Sequence, residues 1–335
     1  MTPIRERTRQ FNNSFMALLL IGIGAIWLLG QLNVLSGASF AILGRIWPVI
    51  LIAIGINILV ARNDSRLSLL IGIATIVMIL ALMVLGPALG WVDTPVVQHQ
   101  VLNEPLAGAQ RADIRLDLSV GDATVRSTDD STDLFRADVN YVGDLRFDVS
   151  GDETRVVRLR NESQSSDAFN FQFLNWGNAP ERLNWDIELT PSIPLSLDVN
   201  GGVGDSRLDL NGLNLTSLNI NTGVGEVSVV LPQGEYPASI RGGVGSTDIR
   251  FSEGAVVTLT VHAGVGSTSI TLPANTPVRL DASSGLGGVS VPADLVRISG
   301  EQNAGVWQTD SFSTADPSER ITIQYSGGVG SLTIR

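Results

Sequence analysis

The chain has 335 residues, 44% of them apolar, a formal net charge of −11 and no cysteine. Residues 1–90 carry a net charge of +4, whereas residues 91–335 carry −15. The length and apolar content suffice for more than one domain. The absence of cysteine excludes disulfides and thiolate chemistry. The acidic balance of the larger part argues against nucleic acid as a partner, because phosphate binding requires clustered basic side chains.

Three apolar runs in residues 1–90 predict an α-helical membrane anchor. The predicted spans lie near 15–34, 41–61 and 67–86, each close to the roughly 20 residues that cross the hydrocarbon core. Arginines cluster before the first run and between the second and third. The positive-inside rule therefore predicts a multi-pass protein with a cytoplasmic N-terminus and an extracytoplasmic larger part. An alternative is that the first run is a cleaved signal peptide, which leaves the larger part on the same side.

A linker is predicted over residues 91–109. Pro87 and Pro95 end the third helix, since proline removes a helix donor and restricts the residue before it. Beyond the linker, apolar and polar residues alternate from Ile114 onwards. This period of two is typical of a half-buried β-strand.

An apolar residue flanked by glycines recurs at nearly constant intervals in the acidic part. The central residues of six copies are separated by 21, 20, 21, 21 and 43 positions. This period indicates stacked units, each too small to bury its own apolar face. Because glycine adopts backbone angles closed to other residues, each copy predicts a sharp corner whose central valine or leucine points into the stack. The predicted corner residues are Gly202, Val203, Gly204, Gly223, Val224, Gly225, Gly243, Val244, Gly245, Gly264, Val265, Gly266, Gly285, Leu286, Gly287, Gly328, Val329 and Gly330.

A longer repeat of 41 residues is marked by prolines at the start of successive units. These prolines are Pro191, Pro232 and Pro273. Together with the alternating strands, the two periods predict an all-β, solenoid-like domain over residues 110–335, with a rung of roughly 21 residues. Insertions are predicted near 151–185 and 292–320, where the rhythm is interrupted. The last strand, near the C-terminus, must be paired or capped to avoid an open sheet edge.

The first insertion holds five aromatic residues within 17 positions. One interpretation is a hairpin that covers an end of the stack, because repeat arrays need capped ends. The other is a surface for a partner. A further tryptophan lies in the second insertion. The candidate partner-binding residues are Phe169, Phe171, Phe173, Trp176, Trp185 and Trp307.

Sequence motifs for catalysis or for a cofactor are missing. The stretch from Gly201 to Asp205 is similar to a calcium-binding nonapeptide, but its aspartate falls one position early and its period is 21 rather than nine. His99 and His262 stand outside any catalytic motif, and His262 is expected to face solvent. The sequence therefore predicts a protein that is not an enzyme and that holds neither metal nor cofactor.

Two stretches carry a family resemblance. Arg45 to Gly55, with Trp47-Pro48 before an apolar run, resembles the membrane domain of LiaF-like bacterial cell-envelope stress proteins. In the acidic part, Trp185 to Leu189, Leu208 to Leu213 and Val229 to Pro232, together with the glycine corners, resemble the toastrack domain that follows it. Toastrack repeats also occur in proteins described as adhesins. Many LiaF-like proteins have one span more than the three predicted here, and an extra span would reverse the side of the β domain.

The resemblance implies a non-enzymatic membrane protein of the cell envelope. Its role would be that of a sensor, regulator or scaffold in the response to cell-wall antibiotics. The implied partners are the lipid bilayer and a membrane sensor histidine kinase or another envelope protein, with self-association as a further option. The alternative class is a structural or adhesive cell-surface protein, in which the repeats are the functional part.

Overall fold

The computed structural model describes residues 22, 24, 27–29, 31–32, 51–52, 55–56, 65–89, 97–128, 132–162 and 183–335. The described residues before Val97 form one compact unit, and those from Val97 onwards form another. Most of the first two predicted spans falls outside these residues, so both remain predictions.

The first unit contains helix α1, Ser65–Ala88, which includes the third predicted span. A Cβ atom added at Gly22 would lie 3.3 Å from Cδ1 of Ile76 in α1. A small residue at position 22 therefore lets the backbone approach α1 closely. Within the described part of the chain, no helix meets the length and hydropathy required of a membrane span.

Over its described residues, the second unit is a β domain of 21 strands in two sheets that share one core. The first ten are β1 Gln98–Pro105, β2 Arg111–Val120, β3 Asp122–Ser127, β4 Asp133–Tyr141, β5 Asp144–Ser150, β6 Thr154–Glu162, β7 Asn184–Leu189, β8 Leu195–Val203, β9 Ser206–Asp209 and β10 Leu215–Val224. The others are β11 Val227–Leu231, β12 Gly234–Val244, β13 Thr247–Phe251, β14 Ala255–Val265, β15 Thr268–Thr271, β16 Val278–Leu286, β17 Val289–Ser290, β18 Val296–Gly300, β19 Ala304–Gln308, β20 Ile321–Val329 and β21 Leu332–Ile334.

From β7 to β18, successive strands alternate between the two sheets. The ten-stranded sheet has the order β1-β4-β7-β3-β9-β11-β13-β15-β21-β17, and the eleven-stranded sheet has the order β18-β19-β16-β20-β14-β12-β10-β8-β2-β6-β5. From β8 to β15, each rung of about 21 residues gives one strand to each sheet and pairs in parallel with the next rung. This arrangement confirms the all-β domain and the length of its rung. The 41-residue repeat describes the loops, because only alternate loops carry the proline.

Inward-facing aliphatic residues form continuous buried rows in both sheets. One row of the larger sheet consists of Ile114, Leu197, Leu218, Ala238, Leu259, Ile323 and Leu280. The facing row of the smaller sheet includes Val125, Leu208, Val229, Ile249, Ile270 and Ile334. Each fully buried Val, Leu or Ile contributes about 1.5–3 kcal/mol. The period-two alternation of the strands thus places the core between the sheets.

Antiparallel strands cover both ends of the parallel stack. At one end, the β5–β6 hairpin extends β2, and the ring of Phe147 stacks on that of Phe135 at a centroid distance of 5.5 Å. At the other end, the β18–β19 hairpin extends β16. Paired ends of this kind limit the exposed sheet edges.

Strand β1 lies inside the segment predicted to be a linker. It pairs antiparallel with β4 along its whole length, and Leu102 is its one buried residue. Since most of its side chains are exposed, β1 has no apolar period that would have revealed it. The β domain therefore begins at the start of β1 rather than at residue 110.

The last rung does not stack in the order of the sequence. Strand β20 lies between β14 and β16, and β21 lies between β15 and β17. The C-terminal strand is therefore paired on both sides, as the sequence required. Residues 292–320, predicted to be an insertion, contain β18, β19 and the short 3-10 helices Asp310–Ser313 and Pro317–Glu319.

Candidate functional site

Parallel register aligns seven corners along one edge of the β domain. The apolar residue of each corner is paired with that of the next, as Val203 is with Val224 and Val224 with Val244. We call this row the valine ridge; in stacking order it consists of Val120, Val203, Val224, Val244, Val265, Val329 and Leu286. Neighbouring strands are about 4.8 Å apart, so the ridge is roughly 29 Å long.

The side chains of the valine ridge are exposed, so the prediction that they point into the stack is wrong. Their exposed fractions range from 46% at Val329 to 72% at Leu286. The inward alternation of the strands stops at the corner, where the chain passes from one sheet to the other. At the corner the glycine backbones of successive rungs are in contact, and the side chain of the ridge residue is exposed to solvent.

Backbone contacts between the glycines explain why the corners stack so closely. A Cβ atom at Gly223 would overlap the carbonyl oxygen of Gly202, and one at Gly225 would overlap the backbone of Gly204. Gly225 also has a φ of +145°, which side chains other than hydrogen rarely permit. Its N–H donates to the carbonyl oxygen of Val244 at 3.0 Å. The prediction that glycine is required for the sharp corner is therefore confirmed.

The valine ridge has an acidic half and an uncharged half. The residue two positions after the ridge residue is acidic in the first three rungs, namely Asp122, Asp205 and Glu226. In the other four rungs the corresponding residues are Ser246, Ser267, Ser331 and Gly288. Two of the carboxylates also connect rungs: Asp122 Oδ1 accepts from the N–H of Asp205 at 3.1 Å, and Asp205 Oδ1 accepts from the N–H of Glu226 at 3.0 Å.

A row of polar side chains runs beside the ridge, three residues before each corner valine. Asn200 Nδ2 donates to Asp117 Oδ1 at 2.8 Å, and Asn221 Nδ2 donates to Asn200 Oδ1 at 2.8 Å. Arg241 Nη1 continues the row with a 3.3 Å bond to Asn221 Oδ1. These bonds join four successive rungs next to the ridge, and they reinforce its register.

Two of the predicted partner-binding residues belong to the core. Trp185 is fully buried, and its Nε1 donates to the carbonyl oxygen of Val120 at 3.1 Å. Trp307, in β19, is 5% exposed and lies opposite Leu280. The structure therefore removes both tryptophans from the candidate partner surface, because neither side chain can reach a partner.

The other four aromatic candidates, Phe169, Phe171, Phe173 and Trp176, lie outside the described residues and remain a prediction. The valine ridge, by contrast, was not predicted as an exposed surface. The strict recurrence of an apolar residue between glycines was the available signal, and it was attributed to the core.

Other polar features give little support for catalysis or small-molecule binding. His99 Nε2 lies 2.7 Å from Asp138 Oδ1 on the surface, and His262 is exposed as expected. Over the residues that the structure describes, no group of three or more acidic or histidine side chains could hold a metal ion. A pocket of about 150 Å³ between the loops at Leu272 and Pro292 is smaller than the roughly 300 Å³ of typical ligand sites.

Shifted pKa values occur away from the valine ridge. A hydrogen bond from Arg126 to Glu188 raises the pKa of the arginine, and the bond from Arg115 to Asp198 does the same. Burial raises the pKa of Tyr236, whose hydroxyl donates to the carbonyl oxygen of Pro232 at 2.9 Å. The two arginine pairs lie on the exposed faces of the sheets, and Tyr236 lies at the edge opposite the valine ridge.

Two known protein families match the chain, one after the other. Residues 15–96 match the LiaF transmembrane domain, and residues 93–250 match the N-terminal domain of toast_rack. The chain joins a LiaF transmembrane domain to a toast_rack domain. The rungs that contain Val265, Val329 and Leu286 lie beyond the toast_rack match and continue the same stack.

Two of the solved structures that are similar to the chain are described as adhesion proteins. One, described as a putative cell adhesion protein from Clostridium sporogenes, is 18% identical, with coverage of 71% of this chain and 99% of that one and a TM-score of 0.45. Another, described as a putative adhesin from Bacteroides fragilis, is 10% identical, with coverage of 72% and 99% and a TM-score of 0.27. No curated protein matches the chain.

Proposed function

We propose that this protein is a membrane-anchored component of the bacterial cell envelope that acts by binding rather than by catalysis. Its role is that of a sensor, regulator or scaffold in the response to envelope stress. The supporting observation is the order of the two family matches, with the transmembrane domain directly before the toast_rack domain. With three spans and a cytoplasmic N-terminus, the β domain is extracytoplasmic.

The proposed signalling mechanism requires a partner in the same membrane, such as a sensor histidine kinase. The toast_rack domain suits this role because its rungs are joined by backbone hydrogen bonds at every corner, which makes it a rigid body. The valine ridge is one exposed surface that could make such contacts. The segment from Phe169 to Trp176 is proposed as a second contact region from its aromatic sequence alone. The alternative is a structural or adhesive protein, in which the β domain contacts wall polymers or other cells.

The partner is tested by crosslinking the full-length protein in its native membrane and identifying the captured proteins by mass spectrometry. A strain that lacks the gene is compared in parallel for its transcriptional response to a cell-wall antibiotic. We expect capture of a membrane signalling protein and an altered response in the deletion strain. Capture of wall polymer alone, with an unchanged response, would support the structural alternative and contradict the signalling role.

Topology is tested separately by protease treatment of cells whose outer surface is accessible. Cleavage of the β domain is expected without lysis, while an N-terminal tag stays protected. Full protection of the β domain contradicts three spans with a cytoplasmic N-terminus. A variant with a known protease site in the loop at Ala274 provides the matched exposed target.

A further inference from the structure

We infer that the valine ridge is the contact surface between two copies of this chain, which pair with their ridges antiparallel about a two-fold axis near Val244. This self-association goes beyond the proposed envelope function and does not depend on a signalling partner.

The first observation is the size and continuity of the exposed apolar row. Seven rungs in succession present a valine or leucine whose side chain is about half exposed or more. Soluble surfaces rarely carry extended apolar patches without a binding role. Six of the seven ridge residues have glycine on both sides, and Val120 has Ser119 before it and Gly121 after it. Because glycine has no side chain that could shield a neighbour, the row is exposed along the edge.

The second observation is that the ridge is complementary to a copy of itself. Its side chains recur at the strand spacing of about 4.8 Å, and a second copy has the same spacing. Two such rows therefore match rung for rung along their whole length, which a surface of different period cannot do. In a two-fold interface each contact occurs twice. Val244 is the fourth of the seven ridge residues, so it meets its own copy, while Val203 meets Val329 of the other copy.

The third observation, the charge beside the ridge, selects the antiparallel arrangement. A parallel pair would place Asp122, Asp205 and Glu226 opposite their own copies, and like charges in contact are unfavourable. An antiparallel pair places the same carboxylates opposite uncharged residues, Gly288, Ser331 and Ser267. The hydroxyls of the two serines can donate hydrogen bonds to the carboxylates that face them.

The same carboxylates argue against the bilayer as the occupant of the ridge. Attachment to anionic lipid headgroups requires basic side chains next to the apolar surface. Beside the first three rungs there are three carboxylates instead, and Arg207, which lies 3.7 Å from Asp205, pairs with one of them. A second copy, whose uncharged half faces these carboxylates, fits the surface better.

Single cysteines test the pairing directly, because the natural chain contains none. The full-length variants Val244→Cys, Val203→Cys and Val329→Cys are expressed in native membranes and oxidised with copper phenanthroline. Ala274→Cys, exposed in the loop at the opposite edge, is the matched control. Val203→Cys and Val329→Cys are also co-expressed with different tags, so that mixed dimers can be counted.

Disulfides form only where Cβ atoms approach to about 4 Å, so we expect Val244→Cys to give at least about fivefold more dimer than Ala274→Cys. The co-expressed pair should crosslink at least about fivefold more than either variant alone, by the same geometric limit. A dimer yield for Val244→Cys equal to that of Ala274→Cys overturns the inference, whether lipid or another protein covers the ridge. Efficient crosslinking of Val203→Cys with itself overturns the antiparallel arrangement.

A second pair of cysteine variants keeps the inference testable if any one variant fails to fold. Val224→Cys and Val265→Cys occupy the third and fifth rungs, and they should crosslink together but not alone. Tryptophan fluorescence reports folding, since the buried Trp185 and Trp307 lose their environment on unfolding. A folded pair that fails to crosslink contradicts the inference as directly as the first experiment does.

Discussion

The two long edges of the β domain hold the same rungs together by different means. At the corner edge, backbone atoms of successive rungs touch and the side chains of the valine ridge point to solvent. At the opposite edge, which we call the loop edge, the connections vary in sequence. Buried side chains there include Leu213, in a connection, and Tyr236, near the start of β12. Close stacking of the rungs accounts for the glycines at the corners, and burial in the core accounts for the apolar residues at the loop edge. Neither requirement accounts for an exposed valine in successive corners. This recurrence is what indicates binding.

The largest effect is expected at a corner glycine. Gly202→Ala would place a Cβ atom on the carbonyl oxygen of Ser119, so the rungs must separate, and overpacking of this kind costs about 3 kcal/mol or more. Gly201→Ala is the matched control, because its Cβ atom would lie 3.7 Å from the nearest atoms. Urea unfolding of the full chain in detergent measures both. Equal stabilities for the two variants would show that backbone contact does not govern the corner edge.

A somewhat smaller effect separates the loop edge from the valine ridge. Leu213→Ala removes a side chain that is 2% exposed, and we expect it to lower the free energy of unfolding by about 2 to 3 kcal/mol. Val224→Ala, on the ridge, should change it by less than about 0.5 kcal/mol. Urea unfolding of the full chain in detergent measures the effect of both substitutions. If Val224→Ala lowered the free energy of unfolding by about 2 kcal/mol or more, as core substitutions do, the ridge would be part of the core.

Alkaline pH should weaken the loop edge through Tyr236. Burial raises the pKa of this residue above that of the unfolded chain, so the folded state retains a proton that the unfolded state loses. The resulting stability is present below about pH 10 and declines above it, by at most about 1.4 kcal/mol per pH unit. Tyr236→Phe should reduce this slope, at a cost of about 1 kcal/mol at neutral pH from the lost hydrogen bond to Pro232. An unchanged slope above pH 10 contradicts this assignment.

The smallest effect is expected at the acidic half of the ridge. Asp205→Ala removes a carboxylate that accepts from the N–H of Glu226, and it should cost about 0.5 kcal/mol because the group is partly exposed. Ser246→Ala, at the same position of an uncharged rung, provides the comparison. Thermal unfolding at low and high salt measures the difference. A stabilised Asp205→Ala variant would show that repulsion among the carboxylates exceeds their contribution to the corner.

The rung could be predicted from sequence because glycine spacing and period-two alternation are local properties. The direction of the corner valines could not, since Val229, buried in a strand, and Val224, exposed at a corner, differ only in how the backbone turns between them. The place of β20 between β14 and β16 depends on long-range pairing. The aromatic cluster near Trp185 is compatible with a cover for the stack or with an interaction surface. Sequence alone does not separate the two, whereas the structure shows the indole of Trp185 bonded to the carbonyl oxygen of Val120 inside the core.

The exposure of the valine ridge, and its burial by a second copy, can be tested in one measurement. Val244→Cys and Ala274→Cys are labelled with a maleimide, once in dilute detergent and once in native membranes at natural density. We predict equal labelling rates in dilute detergent, where the ridge is free, and a rate at least about fivefold slower for Val244→Cys in membranes, where a buried interface excludes the reagent. Slow labelling in both conditions would contradict the exposed ridge, and fast labelling in both would contradict its role as an interface.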